Sequence, residues 1–216
     1  MSDTPVRSAP SEEQSREVAE AAREKEWTAP SFVRELFLGR FRLDLIHPYP
    51  EQSPEDKQRT DAYLEKLDRF LSENVDPDEI DRTGQIPESV VDGLRALGAF
   101  GIKIPEEYGG LGFSQVGYGR AMQLVGSYDS SLVALLSAHQ SIGVPQPVKM
   151  FGTPEQKKKY LPRLAKGAIS AFALTEPGVG SDPAALATTA VPTEDGEAFI
   201  INGEKLWCTN GTIAEL

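Results

Sequence analysis

Gly167 divides this sequence by period. Before it, apolar residues recur every three or four positions behind helix-starting residues; after it, Ile169, Ala171 and Ala173 alternate with Ser170, Phe172 and Leu174. A period near 3.6 places apolar side chains along one stripe of a helix, and a period of two places them on one face of a strand. A chain that switches between the two cannot be a single helical bundle or a single sheet. The pattern predicts an α+β chain, with an all-α domain over residues 53–167 and the start of an antiparallel sheet or barrel over 168–216.

Local signals divide the first part further. Ser53-Pro54-Glu55 combines a cap, a proline at the first turn and an acid near the positive end of the helix dipole, and Tyr63, Leu64, Leu67, Phe70 and Leu71 then share a face. Ile86-Pro87-Glu88 opens a second helix with Val90, Val91, Leu94 and Leu97 inward, closed by Gly98. Gly98 to Gly112 reads as a turn-rich connector. Helices follow from Ser114 to about Gly126 and from Ser130 to about Gly143. The latter, apolar on most faces through Leu132, Val133, Leu135, Leu136 and Ile142, is expected at the centre. Thr153-Pro154-Glu155-Gln156 is a capping box opening a fifth helix with Tyr160, Leu161 and Leu164. Beyond Gly167, strands are expected at about 186–191, 198–201 and 205–209, turned by Asp195-Gly196 and Asn202-Gly203.

Residues 1–30 carry Ser, Glu, Arg and Ala with few large apolar side chains, so a disordered arm is expected there. Its acids, among them Glu12, Glu13, Glu17, Glu20, Glu24 and Glu26, are unlike a secretory or mitochondrial leader. Residues 31–52 read as an extended strap anchored by Phe32, Leu36, Phe37, Phe41, Leu45 and Ile46. A net charge of -11 argues against nucleic acid or anionic membrane as partner. The most apolar stretch, Leu132 to Pro147, is too short and polar to span a bilayer, so no integral membrane segment is expected. One cysteine, Cys208, excludes an internal disulfide, and the expected compartment is the cytoplasm.

Two clusters carry chemistry. In Leu174-Thr175-Glu176-Pro177-Gly178-Val179-Gly180-Ser181-Asp182, glycines let backbone N–H groups approach an anion while Thr175 and Ser181 offer uncharged donors; a tight polar turn between strands has the same composition. In Asn202 to Gly211, a strand at 205–209 would put Trp207 and Thr209 on one face, an indole beside a hydroxyl, as suits a planar cofactor or simply a core.

Together the clusters resemble the acyl-CoA dehydrogenase family, whose first signature matches at Ala173 to Asp182 and whose Trp-hydrophobic-Thr/Ser-Asn-Gly signature matches at Trp207 to Gly211. Val179 departs from the usual small residue. The resemblance covers nearly everything after the arm, including Pro105 to Gly112, Phe151-Gly152-Thr153 and Gln156 to Gly167. Ser31-Phe32, Phe37, Gly39, Pro48-Tyr49-Pro50 and Ala138 to Gly143 look like the very-long-chain branch.

The resemblance implies an FAD enzyme that converts a fatty acyl-CoA to the trans-2-enoyl-CoA in β-oxidation, losing an α proton and a β hydride. Electron-transferring flavoprotein would be the acceptor, and the full-length protein a homo-oligomer. It implies that Phe172, Ala173, Leu174, Thr175, Gly180, Ser181, Trp207, Cys208 and Thr209 line FAD, with Ser181 also near the acyl-CoA. No metal is implied. The catalytic base of the family is a glutamate expected beyond Leu216, so none of these residues is assigned as base and the chain alone is expected to be inactive. Glu176 belongs to the flavin loop, and His139 reads as a satisfied buried histidine. A non-catalytic interaction module and a flavin acyl-CoA oxidase remain the alternatives.

Overall fold

The computed structural model describes residues 11, 13, 17, 30–49 and 51–216. The expected arm at 1–30 lies outside the described residues at nearly every position. The chain forms two units, Met1–Pro50 with Ala173–Trp207 and Glu51–Phe172 with Cys208–Leu216.

In the first unit, Ser31 caps helix α1 (Phe32–Phe37), and a 3-10 turn follows at Leu43–Leu45. The expected strap is thus partly helical. Its intended anchors are also not all inward: Phe32 and Leu45 are half-buried, but Leu36, Phe41 and Ile46 are exposed and Phe37 is 87% exposed. A helix of six residues cannot cover its own apolar side chains.

The second unit is helical. Ser53 Oγ accepts the Asp56 N–H and Pro54 takes the first position of α2 (Pro54–Asn74), as expected. Two elements in this unit lie outside the five expected helices. One is α3 (Pro77–Thr83), which repeats the start of α2 on a smaller scale, with Asp76 as cap, Pro77 first and only Ile80 buried. Next come α4 (Glu88–Ala96), closed through left-handed Gly98, and α5 (Gln115–Tyr128), capped by Ser114. Asp129 caps α6 (Ser130–Ser137), which widens into a π turn at Ala138–Ile142. The other unexpected helix is α7 (Pro145–Phe151), where Pro145 stands in the first turn and its missing N–H costs nothing. The capping box at Thr153 then starts α8 (Pro154–Ala165).

Helix α5 packs on α2 and α6, and their core is continuous with Leu67, Leu71, Val90, Leu94, Leu132 and Leu136. The connector after Gly98 is buried too: Ala99, Phe100 and Ile102 join that core, and Ile104 packs with Leu161 and Leu164 in a second one. Gly110 is required there because a Cβ would overlap the Ile104 carbonyl.

The π turn places His139 and Gln140 in the interior. The Ser170 N–H donates to His139 Nδ1 at 3.1 Å, so the ring hydrogen resides on Nε2, which donates to the Phe100 carbonyl at 3.1 Å. Gln140 donates to the Ala99 carbonyl and accepts the Lys103 N–H. The wider turn also rotates the residues after it, and Ile142, expected inward, is 54% exposed.

The alternation seen after Gly167 does not produce a strand at 168–174. Ile169 and Ser170 are both buried in succession, because Ser170 turns inward to serve His139 and to accept the Val144 N–H. Its backbone bonds run instead from Ala168 N–H to Arg163 O, from Glu215 N–H to Ile169 O and from Ala171 N–H to Leu216 O.

In the first unit, β1 (Thr189–Pro192) pairs antiparallel with β2 (Phe199–Asn202), with Ala190 opposite Ile201. Asp195-Gly196 turns them, with Gly196 at φ 72°, as expected. The third expected strand, 205–209, is absent, and Asn202-Gly203 is not a hairpin turn. A Cβ at Gly203 would overlap Thr188, and Trp207 has φ 55°, which breaks the strand geometry. Among the described residues, no helix is long and apolar enough to cross a membrane.

Burial pushes the His139 pKa down from 6.5 to about 4. The unfolded chain therefore binds the proton that the folded chain refuses, so this contribution to stability is full above about pH 6.5 and is lost as pH falls toward 4. The stability difference between the wild type and His139→Gln, read from urea denaturation, should shrink by about 2 kcal/mol between about pH 7 and about pH 5.

Candidate functional site

Glu176 begins the glycine-rich loop and organises it. Its N–H and carbonyl both pair with Val179 at 3.0 Å, which places Pro177-Gly178 at the corner of a tight turn. The carboxylate turns inward, 5% exposed. One oxygen accepts the Ala187 N–H at 2.7 Å, and the other accepts the Thr188 N–H at 3.0 Å and the Lys205 ammonium at 2.8 Å. The Lys205 ammonium, then the Thr188 and Ala187 hydrogen bonds, hold the Glu176 pKa down at about 2. A carboxylate so fully donated to has no affinity for a substrate proton near neutrality, which makes it unsuited to act as a general base.

The same lysine joins the two sequence clusters. Lys205 Nζ also donates to the Leu174 carbonyl at 3.1 Å, and the Leu206 N–H donates to the Thr175 carbonyl at 2.8 Å. Thr175 and Trp207 are thereby carried on neighbouring stretches of one unit. Thr175 is half-buried, Gly180 and Ser181 are exposed, and the Trp207 indole is 87% exposed. Ala173 and Leu174 are exposed as well. A Cβ at Gly178 or Gly180 would meet nothing within 4 Å, so neither glycine is demanded by the packing of the loop itself. Asp182 caps the 3-10 turn Pro183–Ala185 by accepting the Ala184 N–H.

Phe172, Cys208 and Thr209 belong to the helical unit. Phe172 and Thr209 are exposed and Cys208 is half-buried. The expectation that Trp207 and Thr209 project from one strand face is overturned, because positive φ at Trp207 ends the extended geometry and residues after it form a turn closed by Gly211 N–H to Cys208 O. Asn210, at φ 68°, donates from its side chain to the Leu135 and Ser170 carbonyls. The sequence gives Lys205 no role, and Asn210 enters only as the Asn of the second signature. The available signal was the residue type of Asn210, since asparagine tolerates the left-handed region. Among the described residues, no group of three or more His, Cys, Asp or Glu side chains could hold a metal ion.

The profile of the acyl-CoA dehydrogenase N-terminal domain matches residues 57–168, and that of the acyl-CoA dehydrogenase middle domain matches 171–216. The chain is 58% identical over 205 residues to a protein of Mycobacterium tuberculosis named "Probable acyl-CoA dehydrogenase FadE10", covering 95% of this chain and 31% of that protein. It is 41% identical over 188 residues to the human mitochondrial very long-chain specific acyl-CoA dehydrogenase, covering 86% of this chain and 28% of that one. The chain thus spans about 30% of the length of these relatives. Among solved structures, an acyl-CoA dehydrogenase from Bacillus anthracis complexed with FAD superposes with a TM-score of 0.63 at 35% identity, over 76% of this chain and 28% of that one.

Glu176→Gln removes the charge that Lys205 and the two amides share. Hydrogen exchange at the Ala187 and Thr188 amides should rise by roughly tenfold, with the α2 amides unchanged; unchanged exchange at 187 and 188 would show that the loop is held by other bonds.

Proposed function

Because this chain belongs to the acyl-CoA dehydrogenase family, we propose that it forms the amino-terminal part of an FAD-dependent enzyme. That enzyme dehydrogenates a long-chain fatty acyl-CoA between its α and β carbons to the trans-2-enoyl-CoA, in β-oxidation. In this reading residues 53–167 are the helical domain, 168–216 begin the middle domain and 31–52 precede them as a strap. Electron-transferring flavoprotein takes the electrons.

The observation that carries the reading is the junction of the two signatures, Leu206 N–H on Thr175 O with Lys205 on Glu176, in a chain that matches both family profiles. The residues present fit the cofactor. The exposed Trp207 indole offers a flat apolar wall, and open space beside Gly178 and Gly180 lets backbone N–H groups approach an anion. FAD, when bound, supplies the two-electron acceptor. Thr175 and Ser181 supply uncharged hydrogen bonds, which position a polar ring edge or a phosphate without adding charge. Glu176 contributes by fixing the loop and takes no part in proton removal.

The full-length protein should reduce electron-transferring flavoprotein, or a dye in its place, when palmitoyl-CoA is added, with one enoyl-CoA formed per two electrons. Peroxide formation without flavoprotein reduction would reassign it as an oxidase, and no acyl-CoA-dependent bleaching of its flavin would overturn the reading. Trp207→Ala should weaken FAD binding about tenfold, roughly 1.4 kcal/mol, in a flavin fluorescence titration.

A further inference from the structure

Charge is distributed unevenly along this chain. Residues 149–166 carry six bases, Lys149, Lys157, Lys158, Lys159, Arg163 and Lys166, against the one acid Glu155, in a sequence whose net charge is -11. All but Lys149 lie on α8 or at its C-cap, and Lys158, Lys159, Arg163 and Lys166 are exposed. At about 100° per residue these four fall within roughly 140° of the helix circumference. Buried Leu161 and Leu164 take the other side, so the four make one outward basic face.

The stability of α8 does not account for that face. Lys157 stands in the first turn, at the positive end of the dipole, where a cation is unfavourable, and Lys159 and Arg163 are like charges four residues apart. Among the described residues no ion pair joins the four exposed bases to a carboxylate; the Lys159 ammonium lies 5.1 Å from the centroid of the Tyr160 ring. The crowding of positive charge is relieved only by negative charge from outside the helix.

The same helical unit carries the complement. Glu73 in the last turn of α2, then Asp76, Asp78, Glu79 and Asp81 at the start of α3 and along it, are all exposed, and Arg82 is the one base within 73–82. Of α3 only Ile80 is buried. Glu73 opposes the α2 dipole as Lys157 opposes that of α8. Among the described residues none of these acids pairs with a base.

We propose that the basic face of α8 docks on the acidic stretch 73–81 of a second copy of this chain. A two-fold axis that sets α8 of one copy on α3 of the other makes the converse contact as well, so the pair closes with both contacts formed. Repulsion between two negatively charged chains is screened beyond about 8 Å at physiological ionic strength, whereas charges in contact are screened less. The proposal lies within the helical unit and stands whether or not the dehydrogenase reading holds.

The test is sedimentation velocity on the 216-residue chain at micromolar concentrations. In about 0.1 M sodium chloride a dimer is expected, and in about 1 M, where the Debye length is about 3 Å, a monomer. Lys158→Glu/Lys159→Glu and Glu73→Lys/Asp81→Lys should each weaken association by at least about tenfold. Each replacement suits the half of the helix it occupies, so neither variant should lose helicity by circular dichroism. Mixed in equal amounts, the two variants should recover the dimer, because each then meets the charge it lacks; both remain net negative, so overall attraction cannot bring them together. A monomeric wild type in about 0.1 M salt, a dimer that neither about 1 M salt nor either double substitution weakens, or variants that fail to recombine overturns the proposal.

Discussion

The buried pair His139–Gln140 is the point from which the helical unit is arranged. Neither side chain reaches solvent, so each of their polar atoms must be satisfied inside, and the partners are Phe100 O, the Ser170 N–H and hydroxyl, Ala99 O and Lys103 N–H. An α-helix would turn one of the two outward more strongly, and the π turn is the local adjustment that admits both. The connector 99–103 and the chain at 170 are thus fixed by the same two residues. Asn210 adds a third segment to the junction by donating to Leu135 O and Ser170 O.

Glu176 does for the glycine-rich loop what His139 does for the helices, with the opposite charge state. Burying a carboxylate is unfavourable unless its lone pairs are taken up, and here an ammonium and two backbone amides take them up. The consequence for chemistry is a division of labour. The acid is consumed in holding residues 174–188 against 205–206, and the hydroxyls of Thr175 and Ser181 are left as the groups with capacity for a ligand.

Helix starts were legible because they are local. Ser53 and Thr153 cap within three residues, and no distant contact can alter that preference much. Helix α7 was hidden because Val144, the residue before its first-turn Pro145, offers no capping side chain, although a proline in the first turn starts a helix as readily as it stops one. Positions 168–174 were misread because the alternation there is real but the partner of Ser170 is His139, thirty-one residues earlier. Positive φ at Trp207 had no sequence signal at all, since tryptophan has no preference for that region. Of the candidate site, the residue stretches were legible through family resemblance, and their pairing through Leu206 and Thr175 was not, because a single backbone bond between distant segments leaves no periodic trace.

The glycines separate what the fold needs from what it leaves unexplained. Gly110 and Gly203 have no freedom to vary, because a Cβ would run into Ile104 in one case and Thr188 in the other. Gly178 and Gly180 face open space and have no left-handed φ, so an added Cβ would meet no obstacle from this chain. A residue type that its own structure does not demand points to a demand from outside it. Beside two hydroxyls, an internally neutralised carboxylate and an uncovered indole, the close approach of a flat, phosphate-bearing ligand to bare backbone is the demand that the proposed cofactor would make of these two positions.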